Sequence, residues 1–218
     1  QLERFSATSL IIDRMKQAMM LSGPQFLGIQ ESKAILGWLE HNQSELVQEL
    51  QRIMPLSRFS AVLQRLASEG VPLRAVRLIV ESLIEYDQHE REPDALADYA
   101  RIALKAQIFH QYSEDDGLHA WLLSPHTENI LREALRQTQT GMFFALDTES
   151  SAALINLLNQ AFTLRAKSKS VMLVAQDLRS PLRTLLLEEF NHVPVLFFAE
   201  LGSSCKVKVL GRFDLGQD

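Results

Sequence analysis

Apolar and polar positions along this chain follow one period up to about Tyr112 and a different one beyond Ser113. In the first stretch the apolar residues recur at helical spacing. A helix over Thr8–Met20 breaks at Ser22-Gly23-Pro24, and the next helix places Ala34, Ile35, Trp38 and Leu39 on one face. Leu46, Val47, Leu50 and Ile53 continue the pattern after the polar link His41–Ser44. Ser57 reads as the N-cap of a further helix, which turns Phe59, Val62, Leu63 and Leu66 inward and ends at Gly70. Val76, Ile79, Val80 and Leu83 then form one stripe, with Arg74, Arg77, Glu81 and Glu85 outside it. Pro93 opens another helix with Asp94 in its first turn. There Leu96, Tyr99, Ile102, Ala103, Ala106 and Phe109 make the inward face, and Asp98, Arg101 and Lys105 the wet one.

The link Ser113–Leu118, with Glu114, Asp115 and Asp116 before Gly117, marks the change of period and the best domain boundary. Beyond it come an apolar run Ala120–Leu123, a helix Thr127–Gln137, a run Met142–Leu146 and a helix from Ser150 to about Leu164. Arg165, Lys167 and Lys169 gather near the end of that helix, where they complement its dipole. Val171–Ala175 and Val195–Phe198 read as buried strands around a helix Pro181–Phe190, and Lys206–Val209 as a closing edge strand. Strands alternating with helices predict an α/β layer. The fold class is therefore α+β: a helical subdomain followed by a small α/β subdomain.

The chain has 218 residues, 46% of them hydrophobic, enough for a substantial core. Its formal net charge of -5 disfavours a polyanion binder, which needs Lys and Arg concentrated to neutralise several phosphates. The helix, Gly70 turn and helix within Ser57–Tyr86 echo a helix-turn-helix, but the second helix would present Glu81 and Glu85 to phosphate. Arg77 and Glu81 form instead an intrahelical pair in the less favourable orientation. Cys205 is the single cysteine, so no internal disulfide is possible and a reducing compartment fits. No run approaches the roughly 20 apolar residues of a membrane-spanning helix. The opening residues carry neither an initiating Met nor a secretory signal, as expected of an excised soluble fragment or a processed product.

Catalytic chemistry finds little support in the spacing. His110, His119 and His126 lie near Asp115 and Asp116, yet no His-x-x-x-His pair places two imidazoles on one helix face, and Cys205 has no His near it in sequence. Ser180 before Pro181 lacks the glycines of a nucleophile elbow and reads as a helix N-cap. Glu188 and Glu189 read as a solvated face, since paired catalytic carboxylates need environments that split their acidities. No glycine-rich phosphate loop is present. No catalytic, cofactor or metal residues are assigned. A small cytosolic α/β hydrolase or transferase remains the alternative, and it requires a convergent polar pocket around His119 or His126.

The segment Val71–Ile108 resembles the cytoplasmic domain of the large export-gate protein of type III secretion systems, the family of the flagellar export-gate protein and its injectisome counterparts. Leu27-Gly28-Ile29-Gln30-Glu31 resembles that family's Gly-Arg-Gln-Glu stretch, with Ile29 where a basic residue is usual. Arg179–Leu201 resembles its terminal helix and strand, and Leu210-Gly211-Arg212 its closing strand. The resemblance implies a non-enzymatic bacterial inner-membrane export component of a virulence system, with these residues on the cytoplasmic side and the membrane region elsewhere in the parent protein. It implies a remnant of a preceding helical subdomain over 1–27, a helical subdomain over 28–112 and an α/β subdomain over 113–218. It implies a homo-oligomeric ring, nonameric in the family. Further implied partners are secretion chaperone-substrate complexes, a gatekeeper protein and the export ATPase stalk, with no cofactor and no nucleic acid. On that basis Arg74, Arg77, Glu81, Asp98, Arg101 and Lys105 are the subunit-interface candidates.

Overall fold

The computed structural model describes residues 26–138, 141–163, 169–187 and 190–216. The expected helix Thr8–Met20 and its Ser22-Gly23-Pro24 break, the basic Arg165 and Lys167, and the Glu188-Glu189 pair lie outside the described residues. The chain divides into two compact units, Gln1–Leu104 and Lys105–Asp218.

In the first unit, α1 (Ile29–Glu40) begins where the Glu31 carboxylate accepts the Gly28 N–H at 2.9 Å, satisfying one of the free donors of a helix start. Its buried stripe is Ser32, Leu36 and Leu39, about a quarter of a turn from the centre of the expected face of Ala34, Ile35, Trp38 and Leu39, with Leu39 common to both. Trp38 therefore points outward, 64% exposed, against its expected place in the core. Helix α2 (Ser44–Ile53) buries Val47 and Leu50, and α3 (Leu56–Ser68) buries Phe59, Val62, Leu63 and Leu66. Each such side chain contributes roughly 1.5–3 kcal/mol by leaving water.

Helix α3 starts after Pro55, so Ser57 is its second residue and no side-chain cap is formed. Its end is a Schellman turn, with Gly70 at φ 71°, the Val71 N–H on Leu66 O and the Gly70 N–H on Ala67 O, both at 3.0 Å. A short 3₁₀ turn, Leu73–Ala75, leads into α4 (Val76–Tyr86), and α5 (Pro93–Ala103) follows. Helix α5 packs on both α3 and α4, and Tyr86 stacks on Tyr99 with centroids 4.0 Å apart. The helix expected to continue to Phe109 ends at Ala103, with Leu104 as its C-cap. The Leu104 N–H bonds Ala100 O and Arg101 O together as the last turn tightens.

The second unit begins with α6 (Lys105–Tyr112), where Ala106 is exposed and only Ile108 is fully buried. Four parallel strands form its sheet in the order β5-β4-β1-β6: β1 (Leu118–Leu123), β4 (Ser170–Val174), β5 (Val195–Phe197) and β6 (Val207–Phe213). Register places Trp121, Leu123, Met172, Val174 and Val195 on one face, where most of them join a core with Leu131, Leu154, Leu178 and Phe213. Between β1 and β4 lie α7 (Pro125–Ala134), a hairpin of β2 (Leu135–Thr138) and β3 (Gly141–Phe144), and α8 (Thr148–Thr163).

The expected helix Thr127–Gln137 thus ends early. Leu135 is already extended, and its segment pairs with β3 from Leu135↔Phe144 to Thr138↔Gly141. Ser124, not Thr127, opens α7: the Ser124 hydroxyl accepts the Thr127 N–H at 3.1 Å. The buried Thr127 hydroxyl donates to Phe213 O at 3.2 Å and accepts the Leu215 N–H at 2.9 Å, fastening this helix start to the end of β6.

Helix α9 (Gln176–Leu186) begins five residues before Pro181. Ser180 consequently lies inside the helix and is not its N-cap. Strand β6 slips register between Ala120↔Val209 and Trp121↔Gly211. Gly211 then faces the Trp121 ring so closely that an added Cβ would lie 2.5 Å from Trp121 Cζ3, so a side chain is excluded by contact.

Candidate interaction surface

The six interface residues chosen from the sequence separate into two groups. Arg74 and Arg77 are exposed, Glu81 is half-exposed, and the Arg77 Nε–H donates to Glu81 Oε1 at 2.7 Å. Lys105 is exposed at the head of α6 in the second unit. Asp98 and Arg101, assigned to the wet face, are instead buried. Helix α5 has neighbours on two sides, and Arg101 shares the stripe of Ala97 and Leu104 at spacings of four and three. Its Nη1–H donates to Glu69 Oε2 at 2.7 Å, with the two side chains 3% and 4% exposed.

Glu69 also lies 2.9 Å from Arg65 Nε, and Arg65 reaches Asp94 at 3.4 Å. A charged cluster thus fastens the end of α3 to α5. A charged residue falling on an apolar helical stripe is the signal that identifies such a buried pair. A second bridge of this kind, Arg58 Nη1–H to Asp87 Oδ1 at 2.9 Å, ties α3 to the end of α4.

Between α1 and the turn that leads into α4 lies an open apolar groove of about 440 Å³, lined by Ala34, Ile35, Trp38, Leu73, Arg74 and Val76. Trp38 forms one rim with its ring largely in water, and Ile29 and Phe26 on the same unit are also exposed. Sequence periodicity missed this feature because it counts a Trp at helical spacing as core.

The histidines do not converge. His110 and His126 are exposed, His126 beyond the C-terminal end of β1 and His119 near that strand's beginning. His119 is buried, with Nε2 2.8 Å from Asp116 Oδ1 and Nδ1 3.7 Å from Glu114 Oε2. The Lys208 ammonium donates to Asp116 Oδ2 at 2.8 Å, and this bond above all holds the Asp116 carboxyl below the usual carboxylate range; desolvation opposes it and His119 adds to it.

Glu114, Asp116 and His119 are the described side chains spaced to share a metal ion, with their donor atoms within 4.8 Å of one another. Those donors are engaged among themselves, with Lys208 and with the Lys169 N–H, which bonds Glu114 Oε1 at 2.8 Å. The acidic link is therefore an ion-paired turn inside the second unit. Burial and the nearby Arg183 guanidinium push His192 below the usual histidine range, favouring its neutral form. Among the described residues no helix is long and apolar enough to cross a membrane.

Comparison with known proteins gives this surface a context. Residues 1–206 match the model of the FHIPEP family. The hypersensitivity response secretion protein HrpI of Pseudomonas syringae pv. syringae is 61% identical over 218 residues, covering 100% of this chain and 31% of that protein. The nonameric SctV-C of EPEC, solved by cryo-EM, superposes with a TM-score of 0.84 at 34% identity, over 91% of this chain and 61% of that one. The CdsV protein of Chlamydia pneumoniae in complex with CdsO superposes with a TM-score of 0.81 at 29% identity, over 95% of this chain and 62% of CdsV. The chain thus spans about a third of the curated relative's length.

Proposed function

The chain belongs to the FHIPEP family of type III secretion export-gate proteins, and from that membership we propose that it is a non-enzymatic docking and assembly module on the cytoplasmic side of a bacterial inner-membrane export gate. The observation carrying this reading is its likeness to a protein solved as a nonamer, together with an exposed, charged outer face on α4. In a ring each copy meets two neighbours through two different patches, so every contact is head to tail. Arg74, Arg77, Glu81 and Lys105 are the lateral-contact residues in this proposal. Asp98 and Arg101 act inside the fold, Arg101 as the buried half of the ion pair with Glu69 that holds α5 to the end of α3.

Division of labour follows the expected subdomains. Residues 28–112 serve lateral packing and residues 113–218 partner docking, although α6 (Lys105–Tyr112) belongs to the second compact unit. The CdsV complex with CdsO supports partner docking by a homologous fold, and we extend that role to chaperone-substrate complexes, a gatekeeper and the export ATPase stalk. The test is a pull-down with this chain as bait in lysate of a secretion-competent bacterium, with the retained proteins identified by mass spectrometry. Enrichment of secretion chaperones, gatekeeper or stalk supports docking within these residues. Retention of none of them removes docking from this span and leaves ring assembly as its role.

A further inference from the structure

Strand β6 closes the sheet at one edge, and among the described residues no strand lies beyond it. The Leu118 N–H donates to Lys206 O at 2.9 Å, which fixes the phase of the parallel ladder with β1. Backbone groups alternate in direction along such a strand, so Lys206 and Lys208 turn theirs toward β1, and Val207 and Val209 turn theirs away. The same two valines have exposed side chains, Val209 to 50%. Register with Leu118 and Ala120 puts both on one face, and the slip before Gly211 brings Arg212 onto that face opposite Leu122.

Natural sheet edges are blunted by charges, bulges or a covering element. Here those devices miss the exposed stretch: the register slips only after Val209, and the Lys208 ammonium is drawn back to Asp116 at 2.8 Å. The edge is also one-sided in charge. Between Leu201 and Phe213 the sequence contains Lys206, Lys208 and Arg212 and no acid, in a chain whose net charge is -5. Lys206 and Arg212 are exposed and have no acidic partner among the described residues.

We propose that the outer edge of β6 over Val207–Val209 takes an extended acidic segment of a partner protein as an added strand, with apolar residues against the two valines and carboxylates near Lys206 and Arg212. Main-chain bonds to the outward-turned valines supply affinity, and the alternation of side chains selects the segment. A second β6 does not fit, because it would set basic residues opposite basic ones across the new pair. A nucleic-acid backbone fails for another reason: its phosphates offer acceptors but no donors for the valine carbonyls. This inference rests on the docking role proposed above for residues 113–218 and names the surface and the chemistry of its partner.

Fluorescence anisotropy tests it with this chain and a short fluorescein-labelled peptide of alternating valine and glutamate. Saturable binding is expected, weaker by about 10-fold or more for a valine-lysine peptide and for a valine-glutamate peptide interrupted by proline, which cannot complete a ladder. Val209→Pro removes an outward N–H that the sheet itself does not use, and weakens binding by a similar factor. The double variant Lys206→Glu/Arg212→Glu reverses the preference toward the valine-lysine peptide. Unchanged far-UV circular dichroism verifies that each variant is folded. In the wild type, the Val207 and Val209 amides become protected from hydrogen exchange when the peptide is bound. Absence of binding up to about 1 mM peptide overturns this inference and leaves docking to other surfaces of the second unit. Peptide binding beside a lysate pull-down that retains no partner supports the edge and overturns the named export partners alone. Binding without protection of the two amides, or equal binding of polyglutamate, overturns strand addition. Self-association of the wild type that Val209→Pro abolishes assigns the edge to a second copy and overturns the inference as well.

Discussion

Arg101→Ala should unfold the helical unit far more readily than any exposed charge deletion. The guanidinium is almost fully buried and lies 2.7 Å from a Glu69 carboxylate buried to the same degree. Removing one partner of such a pair costs about 3–5 kcal/mol, because the remaining charge stays in a poorly solvated site. Arg65, 2.9 Å from the other Glu69 oxygen, still offers partial compensation, so the lower end, about 3 kcal/mol, is expected. In urea denaturation followed by circular dichroism, with a slope of about 2 kcal/mol/M, the midpoint falls by about 1.5 M. The double variant Glu69→Leu/Arg101→Met, which removes both charges at similar volume, recovers most of that loss. A midpoint shift below about 0.5 M for Arg101→Ala, or a double variant less stable than the single, refutes the buried-pair argument. Loss of ring assembly in an Arg101 charge reversal would accordingly report unfolding and not a lost subunit contact.

Three further outcomes follow from particular contacts. Gly211→Ala forces its Cβ into the Trp121 ring, which stacks on Phe213 at 5.2 Å; about 1–3 kcal/mol of destabilisation is expected, with altered near-UV circular dichroism as the readout. Thr127→Val keeps the volume but strips the Phe213 carbonyl and the Leu215 N–H of a buried partner, at a cost of about 1–3 kcal/mol, and hydrogen exchange at Leu215 should accelerate. The Asp147 carboxylate accepts the Ser150 N–H and hydroxyl at the start of α8, and these bonds hold its pKa below the usual aspartate range. A depressed pKa contributes stability above the ordinary aspartate pKa and loses it as pH falls through the folded-state value. Asp147→Ala should therefore melt below wild type at neutral pH and converge with it in acid; a gap that persists unchanged in acid contradicts this.

Local patterns in the sequence determined most of the elements and their inward stripes. Phe59, Val62, Leu63 and Leu66, then Val76, Ile79, Val80 and Leu83, recur at a spacing that admits one buried face, and all eight are buried. The strands β1, β4 and β5 are short apolar runs that a sheet covered on both faces requires. Family membership was legible for the same reason, since it rests on the order and spacing of such segments.

Tertiary packing decided what period alone leaves open. Leu135–Thr138 continues a helical pattern but becomes a strand because β3 supplies a partner for its backbone groups. Arg101 is interior and Trp38 exterior because a helix face is defined by its neighbours: α5 is packed on two sides, and among the described residues the Trp38 side of α1 is left largely uncovered.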